Sequence, residues 1–451
     1  MPQFFITSHR KGVILIADAI LFVLMLNFLP LESALSKGLS ILIFIAILWL
    51  TEAIHISITA LLVPILAVAL GIFPTAAALS HFADPIIFLF LGGFALAAAL
   101  SKQELDKAIA GFVLVIANGR LKTAIFLLFA VSAFLSMWIS NTATAAMMLP
   151  LVLGMLRQLD RKEHGRTWVF ALLGVAYCSS IGGIATLVGS PPNAIAAAET
   201  GITFAAWIKK ALPLTLILLP SAVAVLYWVI KPKLNVTIDV GRQAIAWHGQ
   251  QKITLIIFAA TVFCWIFSTP INRLLGDLSA FDSLVAIIAL IALAVSGVVK
   301  WKDIETTTDW GVLILFGGGL CLSAILKATG SSLFLGQSLG AIIGSAGPLM
   351  AIILIASFVV FLTEFASNTA SAALLVPVFA AIAPTLGIDP VVLATLIAVA
   401  ASCAFMLPVA TPPNAIVFGS GFVPQAVMMR CGFWLNLACI IILSLYAAVF
   451  W

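Results

Sequence analysis

Apolar residues in this chain fall in long unbroken blocks, not in the alternating or one-faced patterns of soluble strands and helices. Blocks of roughly 18–25 residues, each long enough to cross a bilayer as a helix, recur from end to end. They predict spans near 12–31, 39–53, 56–75, 85–101, 168–198, 206–230, 253–270, 282–299, 311–326, 388–418 and 431–450. Two further apolar runs, near 123–156 and 345–380, carry a polar cluster at their middle. Those runs predict re-entrant hairpins, in which two helices meet at a tip inside the membrane. The pattern therefore gives an all-α polytopic membrane protein of about 11 transmembrane helices plus two re-entrant helical hairpins.

The polar clusters recur. Ser140-Asn141-Thr142-Ala143-Thr144-Ala145-Ala146 returns as Ser367-Asn368-Thr369-Ala370-Ser371-Ala372-Ala373, Ser190-Pro191-Pro192-Asn193 as Thr411-Pro412-Pro413-Asn414, and Phe90-Leu91-Gly92-Gly93 as Phe316-Gly317-Gly318-Gly319. The offsets are 227, 221 and 226 residues, so one half is a divergent copy of the other, after one extra N-terminal helix. Small, polar, helix-breaking motifs placed symmetrically in an apolar chain are expected where a transporter builds its binding site at a repeat interface.

Composition agrees: 63% of the 451 residues are hydrophobic and 9% charged, against about 25% charged in a soluble domain. The net charge of +5 reports topology, not an anionic macromolecular partner. On the predicted spans, seventeen of the 22 Lys and Arg fall on one side and Lys37, Lys209, Lys210, Arg273 and Lys327 on the other. This bias predicts a cytoplasmic N-terminus and an external C-terminus, and nucleic-acid binding is excluded as the use of the charge. Arg120, Lys122, Arg157, Arg161, Lys162 and Arg166 bracket the first hairpin, whereas no Lys or Arg occurs between Lys327 and Arg430. The hairpins then enter from opposite sides, and the repeats are inverted. The first apolar segment is too long for a signal-peptide core and reads as a retained helix. Cys178, Cys264, Cys321, Cys403, Cys431 and Cys439 lie in or beside apolar spans without metal-ligand spacing and read as small buried residues.

Neither the Ser-Asn-Thr nor the Pro-Pro-Asn motifs contain an ionisable residue. They offer hydroxyls, amide oxygens and unwound carbonyls, the neutral hard oxygens that suit an alkali cation. The same tips expose helix N-termini, which attract an anion. Cations beside an anion, without a basic side chain, fit sodium-coupled uptake of an oxyanion or carboxylate. Asp18, Glu52, His55, Asp84, Asp309 and Glu364 do sit in apolar surroundings. Glu364, three residues before Ser367, reads either as a proton site or as a hairpin-packing hydrogen bond. Glu52 and His55, three apart, read as a pair on one helix face. The segments Lys102–Arg120 and the one after Lys327 look amphipathic and predict helices along the membrane surface.

The doubled Ser-Asn-Thr, Gly189-Ser190-Pro191-Pro192-Asn193 and Ala410-Thr411-Pro412-Pro413-Asn414, with Leu48-Trp49-Leu50-Thr51-Glu52-Ala53 and Val359-Val360-Phe361-Leu362-Thr363-Glu364-Phe365, resemble the divalent anion/sodium symporter family over essentially the whole chain. Its bacterial INDY-type dicarboxylate transporters are the closest in pattern. The resemblance implies a homodimer in which a mobile transport domain moves as an elevator against a scaffold. It implies one sodium ion near Ser136, Ser140, Asn141 and Gly189 and a second near Thr363, Ser367, Asn368 and Ala410. It further implies a dicarboxylate held by Asn141, Thr142, Asn368 and Thr369, with Ser190, Thr411 and Pro412 lining the site.

The expected organisation is 1–120 scaffold, 121–230 transport, 231–330 cytoplasmic loop and scaffold, 331–451 transport. The expected function is sodium-coupled import of a C4-dicarboxylate (succinate, malate or fumarate) across a bacterial inner membrane, with sodium as coupling ion and no other cofactor. A sodium-independent exchanger and a sulfate or citrate carrier of the same family are the rival transport readings; an ion channel is the rival of another class. An enzyme would need a nucleophile–base pair or a metal cluster, and the five scattered His offer neither.

Overall fold

The computed structural model describes residues 2–105, 108, 115–238, 248–343 and 347–451, and among them all regular structure beyond one isolated β-bridge is helical. After α1 (Pro2–Phe28) come α2 (Ser33–Thr51), α3 (Ile56–Ala69), α4 (Pro85–Lys102), α5 (Leu121–Ser136), α6 (Asn141–Leu156), α7 (Arg161–Gly182), α8 (Pro191–Thr200) and α9 (Phe204–Ile230). The second half repeats the order: α10 (Gly249–Ile266), α11 (Phe281–Val295), α12 (Trp310–Ala328), α13 (Ser331–Ile343), α14 (Gly347–Leu362), α15 (Asn368–Ile382), α16 (Pro390–Ala401), α17 (Pro412–Gly419) and α18 (Gln425–Phe450). Nine of the described helical stretches are long and apolar enough to cross a membrane. The surface helix expected over Lys102–Arg120 falls largely outside the described residues, whereas the one expected after Lys327 is α13.

Both predicted hairpins are present. α5 and α6 break at 137–140, and α14 and α15 break at 363–367. The arms are 15–16 residues long, about 24 Å at 1.5 Å per residue. That exceeds half of a ~30 Å hydrocarbon core, so a tip at the midplane requires oblique arms or arms that begin outside it. The predicted spans 168–198 and 388–418 are likewise each two helices, α7–α8 and α16–α17, with the prolines at the first two positions of the second piece. Proline suits a helix start, where an amide would lack a partner anyway.

The two halves interlock as a pair. α3 corresponds to α11 and α4 to α12, yet α3 packs on α12 and α4 on α11. Glycine permits both contacts: a Cβ on Gly92 would lie 2.6 Å from the Ala286 carbonyl oxygen, and one on Gly318 would lie 2.7 Å from that of Ala60. Trp49 and Trp265, both fully buried, tie α2 to α3 and α10 to α11 through equivalent bonds from Nε1 to the carbonyls of Ile56 (3.1 Å) and Asp282 (3.0 Å). The broken helices form a second group, in which α6 packs on α17 and α8 on α15, again a contact made twice with its partners exchanged.

Not every local expectation holds. Glu52 and His55 do not share a helix face: α2 ends at Thr51, Glu52 adopts a left-handed φ of 46°, and His55 caps α3 by accepting the Ser57 amide. The turn wins because two caps at 52 and 55 end one helix and start the next. Asp84 and Asp309 are corresponding N-caps, accepting from Ile86 (2.9 Å) and Val312 (3.2 Å).

Candidate functional site

A cavity of about 710 Å³ lies where the four breaks converge. Ser140, Asn141, Thr142, Gly189 and Ser190 line it from the first half, and Ser367, Asn368, Thr369, Ala410, Thr411 and Pro412 from the second. Ser136 and Thr363, both fully buried, lie behind the tips and reach the motifs through hydrogen bonds. Thus every residue expected at the site is in the cavity wall or one bond behind it. Among the described residues, no Lys, Arg or His lines the cavity; Glu52 and Asp309 stand in its wall with Thr307.

Four helices begin here: α6, α8, α15 and α17. Unpaired amides and the positive dipole end make each start attractive to an anion. Ser140 and Ser367 are N-caps, accepting from Ala143 (3.2 Å) and Ala370 (3.5 Å), which fixes the angle at which each tip turns.

Behind each tip the oxygens crowd. The Asn141 amide is surrounded by Ser136 Oγ at 2.5 Å, the Ser179 carbonyl at 3.2 Å and the Gly189 carbonyl at 3.3 Å. With its nitrogen inward it donates to them. With its oxygen inward it adds a fourth oxygen to the set, where the Ser136 hydroxyl supplies one proton and a cation would satisfy the remaining lone pairs. Gly183 and Gly189 leave room for it: a Cβ on Gly183 would fall 2.8 Å from the Gly189 carbonyl oxygen, and one on Gly189 2.5 Å from that of Gly183. In the second half Thr363 Oγ1 lies 2.6 Å from Asn368 Oδ1 and 2.9 Å from the Ala401 carbonyl. A hydroxyl has one proton for these two acceptors, so one of them lacks a donor. Both clusters consist of neutral oxygens and fit a small alkali cation.

The Pro-Pro-Asn asparagines hold the broken segments in shape. Asn193 Nδ2 donates to the carbonyls of Gly183 (2.9 Å) and Thr186 (2.7 Å), and Asn414 Nδ2 to those of Ala404 (3.2 Å) and Leu407 (3.0 Å). Both asparagines are fully buried. Ser190 Oγ meets Ser402 Oγ at 3.3 Å, joining the two broken spans across the repeats.

Glu364 is a packing residue of the second hairpin. Its carboxylate accepts from the amides of Phe405 (2.7 Å), Met406 (2.9 Å) and Leu407 (3.1 Å) and from Asn436 Nδ2 (2.7 Å). At the equivalent place in the first half the Met137 carbonyl accepts from Thr186 Oγ1. Sequence reasoning missed Ser179 and Ala401, which contribute backbone carbonyls and so carry no side-chain signature. It also missed Trp138, which lines the cavity and packs on Phe204 and Phe258; its neighbour relation to Ser140 was the available signal.

Broken helices meeting at one cavity between intertwined repeats define a membrane transporter of the inverted-repeat class. Residues 8–451 match the sodium:sulfate symporter transmembrane region, and the chain belongs to that family, the divalent anion/sodium symporters. It is 52% identical to an uncharacterized transporter of Haemophilus influenzae, covering 98% of each chain. It is 34% identical to the sodium-dependent dicarboxylate transporter SdcS of Staphylococcus saprophyticus, covering 97% of this chain and 91% of that one. The fold resembles the Alcanivorax borkumensis YdaH transporter with a TM-score of 0.60 at 16% identity, over 83% of this chain and 86% of that one.

Proposed function

We propose that this protein is a sodium-coupled importer of C4-dicarboxylates such as succinate, malate and fumarate, working across a bacterial inner membrane. The observation that carries the reading is one cavity walled by both Ser-Asn-Thr tips, without a basic side chain, in front of two clusters of neutral oxygens. A dianion there has helix N-termini and hydroxyls as partners, and bound sodium ions offset its charge. Asn141, Thr142, Asn368 and Thr369 hold the substrate, with Ser190, Thr411 and Pro412 beside it. One sodium ion sits among Ser136, Ser140, Asn141 and Gly189, with the Ser179 carbonyl. The other sits among Thr363, Ser367, Asn368 and Ala410, with the Ala401 carbonyl. The name of the SdcS relatives supports this substrate class.

The moving unit is 121–230 with 331–451, the static unit 12–120 with 252–330, and two copies associate through their static units. Charge asymmetry places Glu52, Thr307 and Asp309 at the cytoplasmic end of the cavity. Opposite, Lys327 Nζ of α12 meets Glu199 Oε1 of α8 at 2.5 Å, and the Phe204 amide donates to Asp282 at 2.8 Å. These bonds between the two units support a closed outer face and hence an inward-facing state. Radiolabelled succinate and sulfate uptake into proteoliposomes, with sodium, potassium or a proton gradient imposed separately, tests the reading. Succinate uptake driven by sodium alone is expected. Succinate uptake indifferent to sodium would leave an exchanger, and uptake of sulfate alone a sulfate carrier.

A further inference from the structure

A second cavity, of about 810 Å³, shares no lining residue with the first and lies between the start of α7, the end of α9 and the start of α18. Among the described residues, four cations line it, Arg161, Arg166, Lys231 and Arg430, and no acidic residue does. Its walls are aromatic: Phe422 packs on Trp168 with ring centroids 4.7 Å apart, and Trp228 packs on Trp434 at 5.6 Å. Arg161 lies over the Phe422 ring at 4.7 Å.

None of these four cations forms an ion pair among the described residues. The two acids nearest them in sequence are otherwise engaged: Asp160 caps α7 by accepting the Lys162 amide, and Glu163 approaches His164 at 4.0 Å. Four like charges gathered without a counter-ion repel one another, a cost retained here in a chain with few charges. From the cavity, α9 and α18 run on as apolar helices with exposed Ile217, Trp228, Ile441 and Leu445. A ligand that matches this surface has an anionic head, for the arginines, and an apolar tail, for the two helices.

We propose that the cavity is a binding site for the headgroup of an acidic phospholipid, with its acyl chains along α9 and α18. The charge asymmetry puts this end of the molecule at the cytoplasmic leaflet, whose anionic lipids attract basic clusters. The site joins helices of both repeats, so a bound lipid ties α7 and α9 to α18. Charge complementarity selects the head, and the aromatic walls select a lipid over a free anion.

The test titrates the purified full-length protein, in neutral detergent, with short-chain phosphatidylglycerol, and follows its thermal unfolding midpoint. Phosphatidylcholine, inorganic phosphate and a polyglutamate peptide form parallel arms. A rise in midpoint with phosphatidylglycerol alone is expected. The variant R161Q/R166Q/R430Q, all at exposed positions, should need on the order of a hundredfold more lipid for the same rise. Its lipid-free midpoint should not fall, since the mutual repulsion is relieved, and its uptake in phosphatidylcholine vesicles should persist. Should the triple variant not fold, Arg430→Gln and Lys231→Gln are each expected to raise the half-saturating lipid concentration about fivefold. An equal rise with phosphatidylcholine would reduce the effect to general solvation. An equal rise with phosphate or polyglutamate would replace the lipid by a soluble anion. Unchanged response in the charge variants would overturn the site itself. None of these outcomes depends on which substrate is carried.

Discussion

Thr142 and Thr369 are the side chains whose loss is easiest to read. Each lies second in its helix and lines the cavity. Thr→Val keeps the shape and removes the hydroxyl proposed to donate to a carboxylate, a loss that typically costs about 1.5–3 kcal/mol. Equilibrium binding of succinate to either variant is expected to weaken roughly ten- to a hundredfold, and binding of sodium alone to persist. Glu364 belongs to a different category. Glu364→Gln turns an amide donor toward backbone amides that are themselves donors, leaving at least one of three N–H groups unpaired. A lower unfolding midpoint, with the sodium dependence of residual uptake intact, is expected; a new proton dependence of uptake in the variant would return Glu364 to a coupling role. The side-chain half of this site was legible in the sequence because hydroxyls and amides stand out in an apolar chain. The carbonyls of Ser179 and Ala401 were not, since every residue has one and only the fold decides which point inward.

At the scale of elements, the ion pair between Lys327 and Glu199 ties the end of α12 to the end of α8. Glu199→Gln removes the pairing without burying a charge. At about 1 kcal/mol for a partly exposed pair, the balance shifts roughly fivefold away from the state in which the outer face is closed. The concentration of external succinate giving half-maximal uptake is expected to fall, by at most that factor. An increase would mean that the pair is not an outer closure. Helix breaks were readable from sequence wherever proline or Ser-Asn-Thr punctuated an apolar run. The Glu52–His55 turn was missed because helical spacing of two residues does not reveal that a cap separates them. The hairpin runs read at 123–156 and 345–380 match the observed arms to within about two residues, while the tilt of the arms was not readable, because hydropathy sets the ends of an apolar run and not the tilt of the helices within it.

At the scale of the whole molecule, the proposed elevator has the group of broken helices move against α3, α4, α11 and α12. Outside the cavity wall, Gly319 on α12 faces Ala373 on α15: a Cβ on the glycine would lie 3.5 Å from that of the alanine, within reach of a disulfide. The pair G319C/A373C should, when oxidised, stop succinate uptake while leaving sodium-dependent succinate binding intact, and reduction should restore uptake. Uptake unaffected by full oxidation would replace movement of the whole unit by local opening at the tips.

The exchange of partners between the halves also governs how the chain can be made. Gly92 has its seat against Ala286, and Ala60 has its seat against Gly318, across about 190 and 260 residues of chain respectively. When residue 230 leaves the ribosome, the first half has been synthesised yet still lacks the helices on which α3 and α4 close. Its insertion is provisional, with a glycine face turned to lipid, until α11 and α12 arrive. Either half expressed alone is therefore expected to be degraded, and the two expressed together to rescue each other, as measured by membrane abundance in pulse–chase experiments. Biogenesis, on this account, is a waiting problem set by a single missing methyl group on each of two helices.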